Sequence, residues 1–388
     1  MFQSFFTGLS GMFSFSKNLD NVSNNIANMN TPGFKGSDTF YSSLTSGSNS
    51  FGTQISGESQ RFSTGEVRQT GNPGDIAIGG EGFFILLNEG EVQYTRAGQF
   101  KFNDDGILID SVSGGEVASV NESGQLEVIN ISNARVLAPQ ATSSINFKGN
   151  LSSDMTSHDV SGIKVFNALG EEQELSVSFT NNTAVESGSW LVTVKDSNGV
   201  ELHSGEIRFN TNGTPLSPHN TLKFETTDSN GGKSEIAMNF GNSNEFSHAT
   251  SVSGGNSSTI QATVDDGYGI ASLTTIDFSS DGTLKLNYSN GQIIDGPSIG
   301  LANFSNLSAL EVVEGSVFRS SSDSSRVLGK PGESGMGNIM SESIELSNVD
   351  LSREFADMII IQRGYQASSR ILNVSNELLD QLYENTRG

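Results

Sequence analysis

Apolar residues recur with helical spacing at both ends of this 388-residue chain, and this feature limits its possible folds more than any other. Near the N-terminus they are Phe2, Phe5, Leu9, Met12, Leu19 and Ile26. Near the C-terminus they are Leu351, Phe355, Met358, Tyr365, Leu372 and Leu379. Steps of three, four and seven residues are typical of amphipathic helices that pack as coiled coils. The sequence therefore predicts two terminal helices whose apolar stripes are covered by each other and by other copies of the chain.

Local signals place the ends of both helices. The first should end at Asn30-Thr31-Pro32-Gly33, because proline removes a backbone donor and disfavours helix in the residue before it. The second should begin at Asp350, with Asp350 or Ser347 as its N-cap, and it continues toward the C-terminus for about 45 Å.

The chain between the helices is predicted to be β-structure. Short apolar runs such as residues 83–87 alternate with glycines, which is typical of strands with bulges or close backbone contacts. Seven turn signals predict antiparallel hairpins: Asp105-Gly106, Asn198-Gly199, Asn212-Gly213, Asn230-Gly231, Asp266-Gly267, Asp281-Gly282 and Asn290-Gly291. The predicted fold class is mainly β with terminal α-helices.

Shifts in composition along the chain predict nested, discontinuous domains. We expect a helical, coiled-coil-like inner-core domain from residues 1–30 and 350–388, a Ser/Gly-rich connector at 31–71, a middle β domain from 72–144 and 271–349, and an inserted outer β domain at 145–270. A chain that begins and ends helical, with one β block inside another, would place the insert farthest from both termini.

Charge and composition exclude several classes of partner. The chain has 21 Lys and Arg residues against 44 Asp and Glu, a formal net charge of −23, and its basic residues are scattered. Nucleic acid and anionic membrane surfaces are therefore poor partners. The sequence contains no run of 18 apolar residues, which a membrane-spanning helix would need. It also has no Lys or Arg before Lys17, whereas a secretory signal peptide begins with basic residues. We expect any export to use another route.

The sequence offers no catalytic or cofactor chemistry. It has no Cys, which excludes disulfides and thiolate sites, and its four histidines are scattered without a metal-binding spacing: His158, His203, His219 and His248. The two Asp-Asp-Gly turns lack the further carboxylates of a calcium loop, and no Gly-Lys-Ser/Thr follows the glycines at 79–82. We expect no enzyme activity, no metal and no cofactor.

Three segments together resemble the bacterial flagellar rod and hook proteins. Residues 23–35 read SNNIANMNTPGFK, residues 71–78 read GNPGDIAI and are followed by YTRAG at 94–98, and residues 347–351 read SNVDL and are followed by QRGYQA at 362–367. They span nearly the whole chain in the order that this family shows. Rod proteins are usually shorter, so the insert at 145–270 favours the hook branch of the family.

The resemblance implies a structural protein of the flagellar hook or basal body that self-assembles into a curved tube. Such a tube would transmit torque from rod to filament, bend at every turn and serve as an export channel. The implied partners are other copies of the chain, flagellar rod proteins, hook-filament junction proteins, the hook cap and the flagellar type III export apparatus. The implied location is outside the cell envelope, reached without a cleavable signal peptide.

Two hypotheses about residues follow from the resemblance. The twelve stripe residues named above would form the self-assembly interface, and four polar residues of the C-terminal helix would face the lumen of the tube: Gln362, Arg363, Gln366 and Arg370. The alternatives are an intramolecular coiled coil in a soluble monomer and an ordinary solvated helix face. A β-rich adhesin or a secreted glycan-active enzyme would have a similar composition, although neither needs matched stripes at both ends.

Overall fold

A computed structural model describes residues 2–46, 49–321 and 326–386 of the chain. It divides into two compact units. Unit 1 comprises Met1–Asn133, Thr275–Asn287 and Ile293–Gly388, and unit 2 comprises Ala134–Thr274 and Tyr288–Gln292. Unit 2 is therefore an insertion within unit 1. The insert starts earlier than the composition suggested, because β11 (Val136–Leu137) pairs with β21 (Ala271–Phe278) and the hydroxyl of Tyr288 donates to the carbonyl of Ala134 at 2.8 Å.

Two terminal helices belong to unit 1, as the apolar spacing predicts. Helix α1 is Phe2–Ala27 and helix α2 is Leu351–Thr386, whose 36 residues span about 54 Å. The two helices pack against each other in an antiparallel arrangement, since early residues of α1 contact late residues of α2. Helix α1 ends three residues before Asn30-Thr31-Pro32-Gly33, and Gly33 has a φ of 69° that few other residues adopt.

Asp350 is the N-cap of α2. Its carboxylate accepts hydrogen bonds from the backbone N–H groups of Ser352 at 2.8 Å and Arg353 at 3.3 Å, which have no partner within the helix. Ser347, the other cap candidate, instead accepts from Val349 at 3.3 Å, before the helix begins.

Replacing the Asp350 cap should therefore shorten or fray the start of α2. We expect Asp350→Ala to lower the free energy of unfolding of unit 1 by about 1 kcal/mol, since an unfilled N-cap leaves helix donors unpaired. Ser347→Ala is the matched control and should have less than half this effect. Urea unfolding followed by circular dichroism measures both, and equal losses would contradict the assignment of the cap.

The segment predicted to be a connector contains a long hairpin. Strands β1 (Ser37–Ser46) and β2 (Asn49–Gln60) pair antiparallel, with irregularities after Phe40 and Leu44. The hairpin packs on α1, where the hydroxyl of Ser14 donates to the carbonyl of Thr53 at 3.3 Å. Because the helix supplies this support, the strands form despite the few apolar residues in their sequence.

The remaining strands of unit 1 come from both sides of the insertion. The first group is β3 (Val67–Gln69), β4 (Ile76–Gly79), β5 (Phe83–Asn88), β6 (Glu91–Thr95), β7 (Phe100–Phe102), β8 (Leu108–Asp110), β9 (Glu116–Val120) and β10 (Leu126–Val128). The second is β22 (Thr283–Tyr288), β23 (Ile293–Ser298), β24 (Leu301–Phe304), β25 (Leu310–Glu314), β26 (Val317–Ser320), β27 (Arg326–Gly329), β28 (Asn338–Ser341) and β29 (Ser343–Glu345). Ten of these strands, from both groups, form one sheet of order β25-β26-β6-β5-β9-β8-β7, in which β10 pairs with β9 and β24 joins β5 to β27. Strand β22 pairs with β23 outside this sheet.

The core of unit 1 lies on this sheet, and smaller pairs lead from it toward the helices. Phe83 packs edge to face against both Phe304 and Phe318 in the core, with ring centroids 5.9 Å apart in each pair. Strand β28 pairs with β4, and β29 pairs with β3. These last two pairs join the segment that follows α1 in the chain to the segment that precedes α2.

Unit 2 consists of two sheets around its own core. Its other strands are β12 (Ser144–Asn150), β13 (Ser157–Phe166), β14 (Glu172–Asn181), β15 (Ser189–Asp196), β16 (Glu201–Arg208), β17 (Thr221–Thr227), β18 (Lys233–Asn239), β19 (Ala249–Thr250) and β20 (Gln261–Val264). One sheet has the order β13-β14-β15-β16, and the other has the order β17-β18-β12-β19 with β20 also on β12. Trp190 is fully buried between them, and its indole N–H donates to the Ser251 hydroxyl at 3.1 Å.

All seven glycines of the predicted turns have a φ between 77° and 86°, the conformation that such turns require. Asp266-Gly267 nevertheless does not close a hairpin. There the chain passes from β20, which pairs with β12, to β21, which pairs with β11. The Asp266 carboxylate instead accepts hydrogen bonds from the backbone N–H groups of Ser143 and Ser144, at 2.9 and 3.2 Å.

Candidate self-assembly surface on the terminal helices

The most buried residues of α2 in its contact with α1 are mostly small and polar. Four buried residues of α2 lie seven positions apart: Glu354, Ile361, Ser368 and Ser375. Three of them are polar, and this heptad is displaced by three positions from the predicted apolar stripe of α2. The residues that the sequence pattern assigned to the helix seam are therefore not the ones most buried in it.

Glycines let the two helices approach closely. A Cβ atom added at Gly11 would lie 2.9 Å from the Ser368 hydroxyl oxygen, and one added at Gly8 would lie 3.2 Å from the Ser368 carbonyl oxygen. The third glycine is Gly364 of α2. The ring of Phe15 from α1 lies over it, and a Cβ added at Gly364 would be 2.4 Å from a ring carbon. The seam thus depends on three glycines, and the large side chains of Phe15 and Leu372 lie against two of them.

Because the seam uses small residues, large apolar residues of both helices remain exposed. Their side chains are between 42% and 66% exposed, and they are Phe6, Phe13, Phe355, Ile359, Ile360, Tyr365, Ile371, Val374, Leu378, Leu382 and Tyr383. At about 100° per residue, Ile360, Ile371 and Leu378 lie within about 20° of one another around α2, and Val374 is adjacent. Clusters of this kind on a folded surface mark interaction sites.

Most of the predicted interface residues flank the seam. Nine are partly buried: Phe5, Leu9, Met12, Leu19, Ile26, Leu351, Met358, Leu372 and Leu379. Phe355 and Tyr365 are exposed, and the side chain of Phe2 lies outside the described residues. Gln362, Arg363, Gln366 and Arg370 are all exposed on α2. Contact with other copies and orientation toward a lumen both stay predictions for these residues.

A buried ion network anchors the helices to the sheet of unit 1. The Glu345 carboxylate contacts the Lys35 ammonium at 2.6 Å and the Arg96 guanidinium at 3.1 Å. These three side chains are at most 4% exposed, although Lys35 and Glu345 are 310 residues apart in sequence. Burial lowers the pKa of Lys35 and of Arg96, and the Glu345 charge opposes both shifts. The network therefore depends on one carboxylate that balances two buried cations.

A second network, centred on Glu354, joins both helices to the hairpin. Its carboxylate pairs with Arg61 and accepts a hydrogen bond from the Asn25 amide at 3.2 Å. The Asn25 amide also donates to the Ser37 carbonyl at 2.9 Å and accepts from the Ser37 N–H at 3.0 Å. Asn25 thus fixes the start of β1 against α1 and α2 together.

The three segments that carry the family resemblance meet at this junction. The N–H of Gly33 donates to the Glu345 carbonyl at 2.8 Å, and a Cβ added at Gly33 would lie 2.3 Å from the backbone nitrogen of Ala97. The Asn348 side chain accepts from the Gly36 N–H at 2.9 Å and donates to the Ser63 carbonyl at 3.0 Å. The motifs are visible in the sequence, but nothing in them predicts this contact. A lone Glu345 between Ile344 and Leu346 was the available signal.

The described residues contain no group of His, Cys, Asp and Glu side chains that could hold a metal ion. Among the helices described, none is long and apolar enough to span a membrane.

Family models match three parts of the chain. The model described as "Flagella basal body rod protein" matches residues 5–35, and "Flagellar hook protein FlgE/F/G D1 domain" matches residues 77–153. The model described as "Flagellar basal body rod FlgEFG protein C-terminal" matches residues 340–384. The first and third cover α1 with its following turn and nearly all of α2.

Whole-length relatives agree with these matches. The flagellar hook protein FlgE of Brucella suis is 33% identical, with 97% of each chain covered. FlgE of Escherichia coli K12 is 30% identical over 97% of this chain and 98% of its own. Among solved structures, the Helicobacter pylori flagellar hook protein FlgE2 matches with a TM-score of 0.54 and 12% identity, over 70% of this chain and 98% of that one. This last likeness shows a shared fold.

Proposed function

Because the chain belongs to the flagellar hook protein family, we propose that it polymerises into a curved tube that acts as the flexible joint between the flagellar rod and filament. It is a structural subunit of the hook rather than an enzyme, as its family membership indicates. The same tube would serve as the channel through which later flagellar subunits are exported.

The exposed apolar faces of α1 and α2 are the observation that carries this proposal. Eleven large apolar side chains of the helices are at least 42% exposed. Burying one such side chain contributes about 1.5–3 kcal/mol, so a solvated monomer forgoes a large stabilisation. Other copies of the chain are the partner that a homopolymer supplies, and the twelve predicted interface residues are part of the contact.

We infer a layered arrangement in the tube. The helices, from residues 1–30 and 350–388, would form the inner layer, the sheet of unit 1 the middle layer and unit 2 the outer layer. Exposed Gln362, Arg363, Gln366 and Arg370 would then give the lumen a polar wall to which unfolded cargo does not adhere. Polar surfaces rich in Ser, Asn and Gly on unit 2 would slide past neighbours through exchangeable water contacts as the joint bends.

The inferred partners follow from the same position in the flagellum. Rod proteins would contact one end of the tube, and the hook cap and the hook-filament junction proteins would contact the other. The flagellar type III export apparatus would deliver the chain outside the cell envelope.

A single substitution on α2 tests whether its apolar face drives assembly. We expect Leu378→Ser to raise the critical concentration for tube formation about tenfold, because lost burial of about 1.4 kcal/mol corresponds to that factor. Gln381→Ser is the control, since it makes a similar change on a polar face one turn away. Sedimentation of the full chain with negative-stain electron microscopy measures the effect. Tubes that form equally well with Leu378→Ser, or no tubes from the unaltered chain, would contradict the proposal.

A further inference from the structure

A cavity of about 350 Å³ lies where α1, α2 and β1 meet. Its floor is apolar and is formed by Phe15, Val22 and Ile361, of which Val22 and Ile361 are at most 5% exposed. The Thr39 hydroxyl, which also lines the cavity, is buried and has no hydrogen-bond partner. The volume is large enough to hold an aromatic side chain.

The rim of the cavity is acidic. Asp38 and Asp357 line it and are 41% and 45% exposed. Arg353 lies 3.5 Å from Asp38 and 3.9 Å from Asp357, and Arg61 pairs with Glu354 and lies 3.6 Å from Asp38. Three carboxylates therefore face two guanidinium groups, which leaves one net negative charge. This rim attracts a cation.

A matching aromatic and basic pair lies on the outer face of α1. Phe13 is 66% exposed, the most exposed large apolar side chain described in either helix. Lys17 follows one turn later on the same face, is exposed, and takes part in no ion pair found among the described residues. Phe13 and Phe15 lie about 200° apart around the helix, so Phe13 cannot reach the cavity of its own chain.

We propose that the cavity of one copy receives Phe13 of a second copy, whose Lys17 ammonium then meets Asp38 and Asp357 at the rim. The inference rests on the proposed polymer and names one of its contacts. An apolar floor fits the phenyl ring, and the net charge of the rim fits the ammonium. Because Phe13 and the cavity are different surfaces of the chain, the contact is heterologous, which is the type of contact that an open helical assembly requires.

Cysteine cross-linking tests this contact without background, because the chain has no Cys. Full-length chains carrying Lys17→Cys are mixed with full-length chains carrying Asp357→Cys, polymerised and treated with a short bismaleimide, because an ion pair of long side chains holds its Cα atoms too far apart for a direct disulfide. We expect a cross-linked mixed dimer on a denaturing gel, formed at least about tenfold more than from the pair Asn24→Cys and Asp357→Cys. Asn24 lies on the same exposed face of α1, two turns farther along, and is the matched control.

Charge reversal is the second measurement. Lys17→Glu should raise the critical concentration about fivefold, and adding Asp357→Lys should restore it, while Asn24→Glu should have little effect. If tubes form but give no more cross-linked mixed dimer than the control pair, and charge reversal gives no rescue, the proposed contact is wrong and the proposed polymer stands. If Arg363→Glu instead of Lys17→Glu rescues Asp357→Lys, then α2 of the neighbouring copy fills the cavity, and the proposed contact with Phe13 is wrong. Failure of the unaltered chain to form tubes would overturn the proposed function as well.

Discussion

Replacing Glu345 with alanine is expected to lower the free energy of unfolding of unit 1 by about 3–5 kcal/mol. The substitution leaves Lys35 and Arg96 buried without their shared counter-ion. It also removes the acceptor for the Gly65 N–H, which donates to Glu345 at 2.8 Å. Urea unfolding followed by far-ultraviolet circular dichroism measures the loss.

The molecule offers two controls for this result. Glu91 pairs with Arg319 at 3.7 Å on the exposed surface of the same unit, so Glu91→Ala should cost less than about 1 kcal/mol. Trp190, the single tryptophan, is buried in unit 2, so its fluorescence should report an unchanged transition there. Losses of similar size for Glu345→Ala and Glu91→Ala would show that the buried network does not anchor the helices.

Gly364→Leu is expected to prevent tube formation even at a hundredfold higher chain concentration. The ring of Phe15 occupies the space that the new side chain needs, with contacts of 2.4 to 2.8 Å already at Cβ. The helices would separate, so the apolar faces of α1 and α2 would no longer be held in the one relative position that assembly requires. Electron microscopy of the full-length variant, beside the unaltered chain, measures the outcome.

A second substitution separates this steric effect from any other consequence of the change. Phe15→Ala removes the obstructing ring, so the pair Gly364→Leu with Phe15→Ala should regain assembly in part, the remainder being lost because Phe15 also lines the cavity between α1, α2 and β1. Asn373→Leu, which adds a similar side chain at an exposed position of α2, should assemble normally. Tubes from Gly364→Leu alone would mean that the close helix contact is not needed for assembly.

Features governed by short-range chemistry were predictable from the sequence. The helical spacing at both ends predicted α1 and α2, and Asn-Gly and Asp-Gly pairs predicted turns whose glycines all have a positive φ. Proline and glycine at 32 and 33 predicted where α1 ends. Each of these depends on residues within a few positions of one another, which a sequence displays directly.

Features that depend on distant residues were not predictable in the same way. The apolar spacing of α2 indicated the face of Leu351 and Met358, whereas its most buried residues lie on the face of Glu354 and Ser368, where Gly8 and Gly11 of α1 make room. The local sequence does not distinguish a helix face that packs within the chain from one that contacts other copies, because the residues of both faces recur every seven positions. The hairpin β1–β2 was missed for a related reason, since α1 supplies the support that its sequence lacks.

The separation of Lys35 and Glu345 by 310 residues also has a consequence for the order of folding. The junction cannot close until nearly the whole chain is available, so unit 1 is a fold of high contact order. Unit 2 draws its contacts from one continuous stretch for the most part and can form before the C-terminal residues arrive. Once unit 2 is folded, the flexible chain between Lys35 and Glu345 is nearly halved in length. The entropic cost of bringing these two residues together then falls by about 0.5 kcal/mol. A chain that still lacks its last residues therefore has unit 2 in place while unit 1 stays open.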